Sequence, residues 1–66
     1  MTLHEAMKTV LSSSPGGMTA EQITEIINKE GLYTRSDGKP IPSSQVRARA
    51  RKYIGMFRVD NGYISL

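Results

Sequence analysis

The dipeptide Asn61-Gly62, near the end of a 66-residue chain, is the feature that most constrains the fold. Asn-Gly is the preferred centre of a type I′ hairpin turn, because both residues accept a positive φ. A turn here pairs Val59 with Ile64 and Phe57 with Leu66, which predicts that these four apolar side chains share one face. A two-stranded hairpin alone is marginal in water, so this face must pack on other parts of the chain.

Two segments before the hairpin open with the Thr-x-x-Glu/Gln pattern of a capping box. The first pattern starts at Thr2 and predicts a helix over 2–13, and the second starts at Thr19 and predicts a helix over 19–30. Each is followed by an apolar stripe at helical spacing. Gly31 suits the left-handed residue that ends many helices, which predicts the end of the second helix.

The other segments are a very short strand, a loop and a third helix. Gly17-Met18 predicts the strand, just ahead of the second helix. Residues 32–42 read as a loop because Asp37-Gly38 is a turn signal and two prolines follow it. Ser43 is predicted to cap the third helix, over 43–54. We also expect Leu32 and Tyr33, at the start of the loop, to pack back on the core.

The order helix, helix, loop, helix, hairpin is that of a winged helix-turn-helix. The predicted fold is therefore mainly α (α+β), with three helices and a C-terminal two-stranded wing. A chain this short forms one domain, residues 1–66, and buries roughly 60% of its unfolded surface. No apolar run approaches the length of a membrane helix.

No catalytic residue, metal site, cofactor or small-molecule ligand is predicted. The chain has one histidine and no cysteine, too few ligands for a zinc site. His4-Glu5 begins like a zinc-protease helix, but Lys8 stands where the second histidine is needed. Little room remains for a pocket beside so small a core, so we expect a binding module and not an enzyme.

Charge is distributed unevenly along the chain. Residues 1–37 carry a net charge of −2, whereas residues 38–59 carry six lysines and arginines and no acid. Asp60 brings the total to +3. This asymmetry favours a polyanionic partner, nucleic acid first and an anionic membrane second.

The basic third helix has a predicted core face and a predicted contact face. At about 100° per residue, the core face consists of Val46, Ala50, Tyr53 and Ile54. Roughly opposite lie Ser44, Gln45, Ala48, Arg49 and Lys52, with Arg47 and Arg51 on one flank. This arrangement suits a helix in the major groove of DNA.

Each contact residue has a chemical reason. Ala48 lets the backbone approach, Arg49 can fork onto a guanine edge, and Gln45 can pair with adenine. Basic residues on the flanks would hold phosphates, and the amides at the start of the helix form an anion site. Tyr63, on the outer face of the hairpin, is the one aromatic residue predicted to make a contact. The candidate DNA-binding residues are Lys39, Ser43, Ser44, Gln45, Arg47, Ala48, Arg49, Arg51, Lys52, Arg58, Asn61 and Tyr63.

The ordered motifs resemble the HARE-HTH domain along essentially the whole chain. They include Thr2-Leu3-His4-Glu5-Ala6, Met18-Thr19-Ala20-Glu21-Gln22-Ile23, Gly31-Leu32-Tyr33, Gly38-Lys39-Pro40, Val46-Arg47-Ala48 and Gly62-Tyr63-Ile64-Ser65-Leu66. The resemblance implies a winged-helix module similar to the N-terminal domain of RNA polymerase delta subunits. It also implies a DNA-binding or chromatin-associated accessory role, as in restriction endonucleases and Asx-like chromatin proteins, with a proposed role in sensing modified bases. The chain is then expected to be one domain of a larger protein that carries the effector.

The predicted function is binding of double-stranded DNA by a monomer, with helix 43–54 in the major groove and the wing and loop on phosphates. The alternative is a protein-interaction module of a transcription or chromatin complex, because the same basic surface suits an acidic partner. The expected location is the cytoplasm, with the nucleoid, in a bacterium and the nucleus in a eukaryote.

Overall fold

Three helices and three short strands account for the regular structure in a computed structural model that describes residues 1–66. In chain order they are α1 (Leu3–Leu11), β1 (Met18–Thr19), α2 (Ala20–Glu30), α3 (Ser43–Lys52), β2 (Arg58–Asp60) and β3 (Tyr63–Ser65). This order confirms the winged helix-turn-helix. With nine to eleven residues each and charged side chains on all three, the helices fall short of a membrane-spanning segment.

Both predicted capping boxes are present. The Thr2 hydroxyl accepts from the Glu5 amide at 3.3 Å, and the Glu5 carboxylate accepts from the Thr2 amide at 2.8 Å. That amide and the Thr2 hydroxyl lower the pKa of Glu5, since both donate to its charged form. Thr19 and Gln22 exchange the same two bonds at the start of α2. Gly31 ends α2 with a φ of 65°, as predicted.

The third helix departs from its predicted ends. Pro42, not Ser43, is the N-cap residue, and no side chain caps this end. Extended backbone at Pro42 makes Ser43 the first helical residue, and the Gln45 amide donates to the Pro42 carbonyl at 3.1 Å. At the other end the chain leaves the helix at Tyr53, so the helical rotation no longer applies to Ile54. The prediction that Ile54 lies on the core face was therefore wrong, and its side chain is 80% exposed.

The hairpin has the predicted turn but only part of the predicted face. Val59 pairs with Ile64 across the ladder. Phe57 precedes β2, so its predicted pairing with Leu66 does not occur. Phe57 and Ile64 are buried, whereas Val59 and Leu66 are 43% and 51% exposed. The four do not form one buried face because β3 is the central strand, and β2 extends past the helices as an edge.

The sheet gains a third strand from the segment ahead of α2. The predicted strand at Gly17-Met18 forms one residue later, and Met18 pairs with Ile64. Gly17 lies against this pairing with a φ of 85°, and a Cβ there would stand 2.8 Å from the Ile64 carbonyl oxygen. The strand order is β1-β3-β2, so the hairpin is tied to the start of α2.

One core of thirteen buried apolar residues joins all these elements. They are Leu3, Ala6, Met7, Val10, Leu11, Ala20, Ile23, Ile27, Ile41, Val46, Ala50, Phe57 and Ile64. Leu32, Tyr33 and Tyr53 are partly buried against it, as predicted. Ile41 was not predicted, because it stands alone between two prolines in a segment that reads as loop. It is only 3% exposed, and the Asn28 side chain bonds both its amide and its carbonyl at 3.1 Å.

Candidate nucleic-acid interface

The outward face of α3 is set by the two residues that it buries. Val46 and Ala50 are fully buried, so the opposite side of the helix points away from the core. The exposed residues on that side are Ser44, Ala48, Arg51 and Lys52. We call these four the outward face; a small residue, Ala48, lies at its centre.

Two predicted base contacts lie at the margin of this face. Arg49 and Gln45 are half-buried. At about 100° per residue, Arg49 is separated from Val46 by only about 60°, whereas Ala48 is about 160° away from it. Arg51 is nearer to the direction of Ala48 than Arg49 is. The long side chain of Arg49 therefore starts from a flank of the helix.

Arg47 is held by a partner that the sequence did not indicate. Its guanidinium donates to the Glu21 carboxylate, in the first turn of α2, at 2.8 Å. Both side chains are largely exposed. The two residues are 26 positions apart, so no local pattern could reveal the pair. The pair places a predicted phosphate-binding arginine beside the N-terminal end of α2.

The loop before α3 places Lys39 beside a second ion pair. Arg35 and Asp37 are 3.1 Å apart, and the Asp37 carboxylate also accepts from the Lys39 amide at 3.0 Å. The Lys39 side chain is exposed and makes no ion pair. Glu21 and Asp37 are the only acids paired with a base in the chain. The remaining predicted contact bases, which are Lys39, Arg49, Arg51, Lys52 and Arg58, have no acidic partner.

The hairpin brings some of the predicted wing residues to α3 and separates others. Arg58 on β2 and Arg51 on α3 line the same groove. Asn61 lies in the turn with a φ of 52°, and Tyr63 is exposed beside it on β3. Tyr63 pairs with Thr19 on β1, so it stands toward the start of α2. The wing thus contributes at two places, with Arg58 near α3 and Tyr63 near the hairpin turn.

The groove between the end of α3 and β2 is the largest concavity in the molecule, with a volume of about 470 Å³. We call it the α3–β2 groove. Phe57 forms part of its lining, and the other residues that matter are Arg51, Ile54, Met56, Arg58, Val59 and Leu66. The sequence did not indicate this groove, because it depends on the exposure of Ile54.

The α3 N-terminus and the single histidine complete the set of predicted sites. Ser43 is half-buried and Ser44 is exposed, at a helix end without a side-chain cap. His4 stacks on Tyr53, with ring centroids 4.4 Å apart. No group of three or more acidic, histidine or cysteine side chains is arranged to hold a metal ion.

Comparison with known proteins gives one match. The HARE-HTH family model, whose description names ASXL and a restriction endonuclease HTH domain, matches residues 1–61. No curated protein and no solved structure matches the chain.

Proposed function

Because the chain belongs to the HARE-HTH family of DNA-binding helix-turn-helix domains, we propose that it binds double-stranded DNA with α3 in the major groove. The observation that carries this proposal is the character of α3. Its outward face has Ala48 at the centre, and the helix carries four basic residues and no acid. A small residue at the centre permits close approach, and bases on both sides suit a groove lined by phosphates.

Within this arrangement we assign different roles to the basic residues. Arg51 and Arg49 lie on opposite sides of Ala48, and each can reach a guanine edge as a bidentate donor. The more exposed position of Arg51 makes it the stronger candidate of the two. Ser44 and Gln45 are the polar candidates near the start of the helix.

The second group holds the DNA backbone. Lys39 in the loop and Arg58 in the wing flank α3, and Arg47 and Lys52 complete a basic surface. Phosphate contacts of this kind position a protein on DNA without reading sequence. Tyr63 and Asn61 would extend the contact along the wing, and the Ser43 amide could donate to a phosphate at the start of the helix.

The salt dependence of binding tests the proposal. With about four phosphates neutralised, log K should fall against log[salt] with a slope near −3 to −4. A fluorescence titration of labelled duplex at several salt concentrations measures it. Amide shifts should cluster on residues 43–52 and 58–63. A flat salt dependence, or no shift at millimolar duplex, would contradict DNA binding and favour the protein-interaction alternative.

A substitution pair separates sequence reading from backbone contact. On a duplex chosen by selection from a random pool, Arg51→Ala or Arg49→Ala should cost roughly 1–3 kcal/mol and relax sequence preference. Arg47→Ala should weaken all duplexes alike. Equal losses on selected and scrambled duplexes for every variant would contradict the assignment of α3 to the major groove.

We further propose that the chain is an accessory module and not an enzyme, and that it brings an attached effector to DNA. The family description names a restriction endonuclease among its members, which makes such an effector one candidate. The location would then be that of the DNA, in the nucleoid or in the nucleus. Sequencing of the flanking gene region tests for a linked catalytic region, and its absence would contradict the attached-effector proposal.

A further inference from the structure

The α3–β2 groove has a composition that DNA binding does not explain. Ile54 is the most exposed large apolar residue in the chain, and Met56, Val59 and Leu66 also expose apolar surface. All four line the groove. Contiguous apolar surface of this kind on a small domain marks a binding site more often than isolated exposed residues do.

Charge identifies the kind of partner. Two arginines, Arg51 and Arg58, line the groove, and no acidic residue does. Neither arginine has an acidic partner within the chain. An occupant that complements the groove therefore has apolar side chains for its interior and carboxylates for the two guanidinium groups.

We infer that the α3–β2 groove binds an acidic amphipathic peptide segment of a partner protein. Apolar side chains of the segment lie on Phe57 between Ile54 and Val59, and its carboxylates accept from Arg51 and Arg58. A duplex is a poorer occupant, because its charged backbone would leave the apolar surface of Ile54 and Val59 unpaired with anything apolar. A bilayer is also poorer, because it takes up protruding apolar side chains, whereas this surface is concave with a volume of about 470 Å³.

One consequence rests on the proposed function. Arg51 and Arg58 also belong to the proposed DNA surface, so a peptide in the groove and a duplex on α3 would compete. Peptide binding without DNA tests the groove by itself, so its outcome does not depend on whether the chain binds DNA.

A random peptide library selected on the intact 66-residue chain provides the first test. We expect enrichment of sequences that combine leucine-like side chains with Asp or Glu, at the i, i+3, i+4 spacing of a helix or the alternation of a strand. Amide shifts of the chain with a synthetic copy of an enriched peptide should cluster on residues 51–59. Enrichment of neutral or basic sequences, no enrichment, or shifts elsewhere would overturn the inference.

Variants separate the groove from the rest of the surface. Ile54→Ser should weaken the enriched peptide about tenfold or more, since one large apolar side chain is no longer buried. The folded state should persist because the Ile54 side chain is 80% exposed. Arg58→Glu should weaken the peptide by a similar factor, whereas Lys29→Glu makes the same charge change outside the groove and should have little effect. Equal effects of the two charge reversals would overturn the inference.

Two further measurements address other occupants. Sedimentation of the chain should show a monomer at all concentrations. A concentration-dependent dimer that disappears in Ile54→Ser would show that a second copy covers the groove, which overturns the peptide proposal. Binding of anionic phospholipid vesicles that is lost in Ile54→Ser would do so in favour of a membrane.

Discussion

The guanidinium of Arg47 on α3 donates to the Glu21 carboxylate, in the first turn of α2, at 2.8 Å. This ion pair joins the two helices of the helix-turn-helix at the surface. It also occupies an arginine that the proposed DNA complex needs for a phosphate. Glu21 therefore competes with DNA for Arg47, and its own charge is unfavourable near a duplex.

Glu21→Gln should raise the affinity for DNA severalfold and steepen the salt slope by about one, because Arg47 becomes free to neutralise a phosphate. The free energy of unfolding should fall by only about 0–1 kcal/mol, since the ion pair is exposed. Glu25→Gln makes the same charge change on α2 without an ion pair and is the control. Duplex titrations that show equal gains for both variants would contradict the competition.

Ala48 at the centre of the outward face provides the sharpest test of the docking geometry. Ala48→Glu should reduce DNA affinity at least about tenfold, because a larger, negative side chain would face the phosphates. The fold should be retained, since the position is exposed and glutamate is a good helix former. Thr9→Glu on α1 introduces the same charge outside the proposed surface. If the two variants bind DNA equally well, α3 does not enter the groove with this face.

The start of α3 depends on the double hydrogen bond between Asn28 and Ile41. Asn28→Ala should lower the free energy of unfolding by about 1–3 kcal/mol, because the amide and carbonyl of a buried residue lose their partner. Urea denaturation followed by circular dichroism measures the change. Lys29→Ala, at the next position of α2, should change it by no more than about 0.5 kcal/mol. Similar losses in both variants would show that the Asn28 bonds are not the cause.

Adjacent glycines offer a matched pair for the β1–β3 contact. Gly17→Ala should destabilise the fold by about 1–3 kcal/mol, since the φ of 85° is strained for alanine and its Cβ would meet the Ile64 carbonyl. A methyl group at Gly16 would have no atom within 4 Å, and the φ of Gly16 is not positive. Gly16→Ala should therefore shift the unfolding free energy by at most about 1 kcal/mol. Thermal and urea unfolding of the two variants should differ clearly, and equal stability would contradict the predicted clash.

Local features were predictable because their causes lie within a few residues. A capping box joins Thr2 to Glu5, three positions apart, and a type I′ turn depends only on Asn61-Gly62. The same holds for Gly31, whose positive φ ends α2. These signals, taken in order, were enough to predict a winged helix-turn-helix, and the charge of residues 38–59 was enough to identify α3 as the candidate DNA-binding helix.

The candidate site could be predicted only as a set of residues and not as a surface. Helical periodicity identifies Val46 and Ala50 as buried, but it does not show that α3 ends before Ile54. The exposure of Ile54 creates the α3–β2 groove, and that groove brings Arg51 and Arg58 together.

By itself, the sequence determined the helices, the turn and the location of the basic charge, since each depends on neighbouring residues and intrinsic backbone preferences. Tertiary structure alone decided which distant groups meet. Glu21 with Arg47, Asn28 with Ile41, and Met18 with Ile64 are all separated by more than ten positions. Such pairs form only after the core brings the elements together, because no local preference selects one distant partner over another.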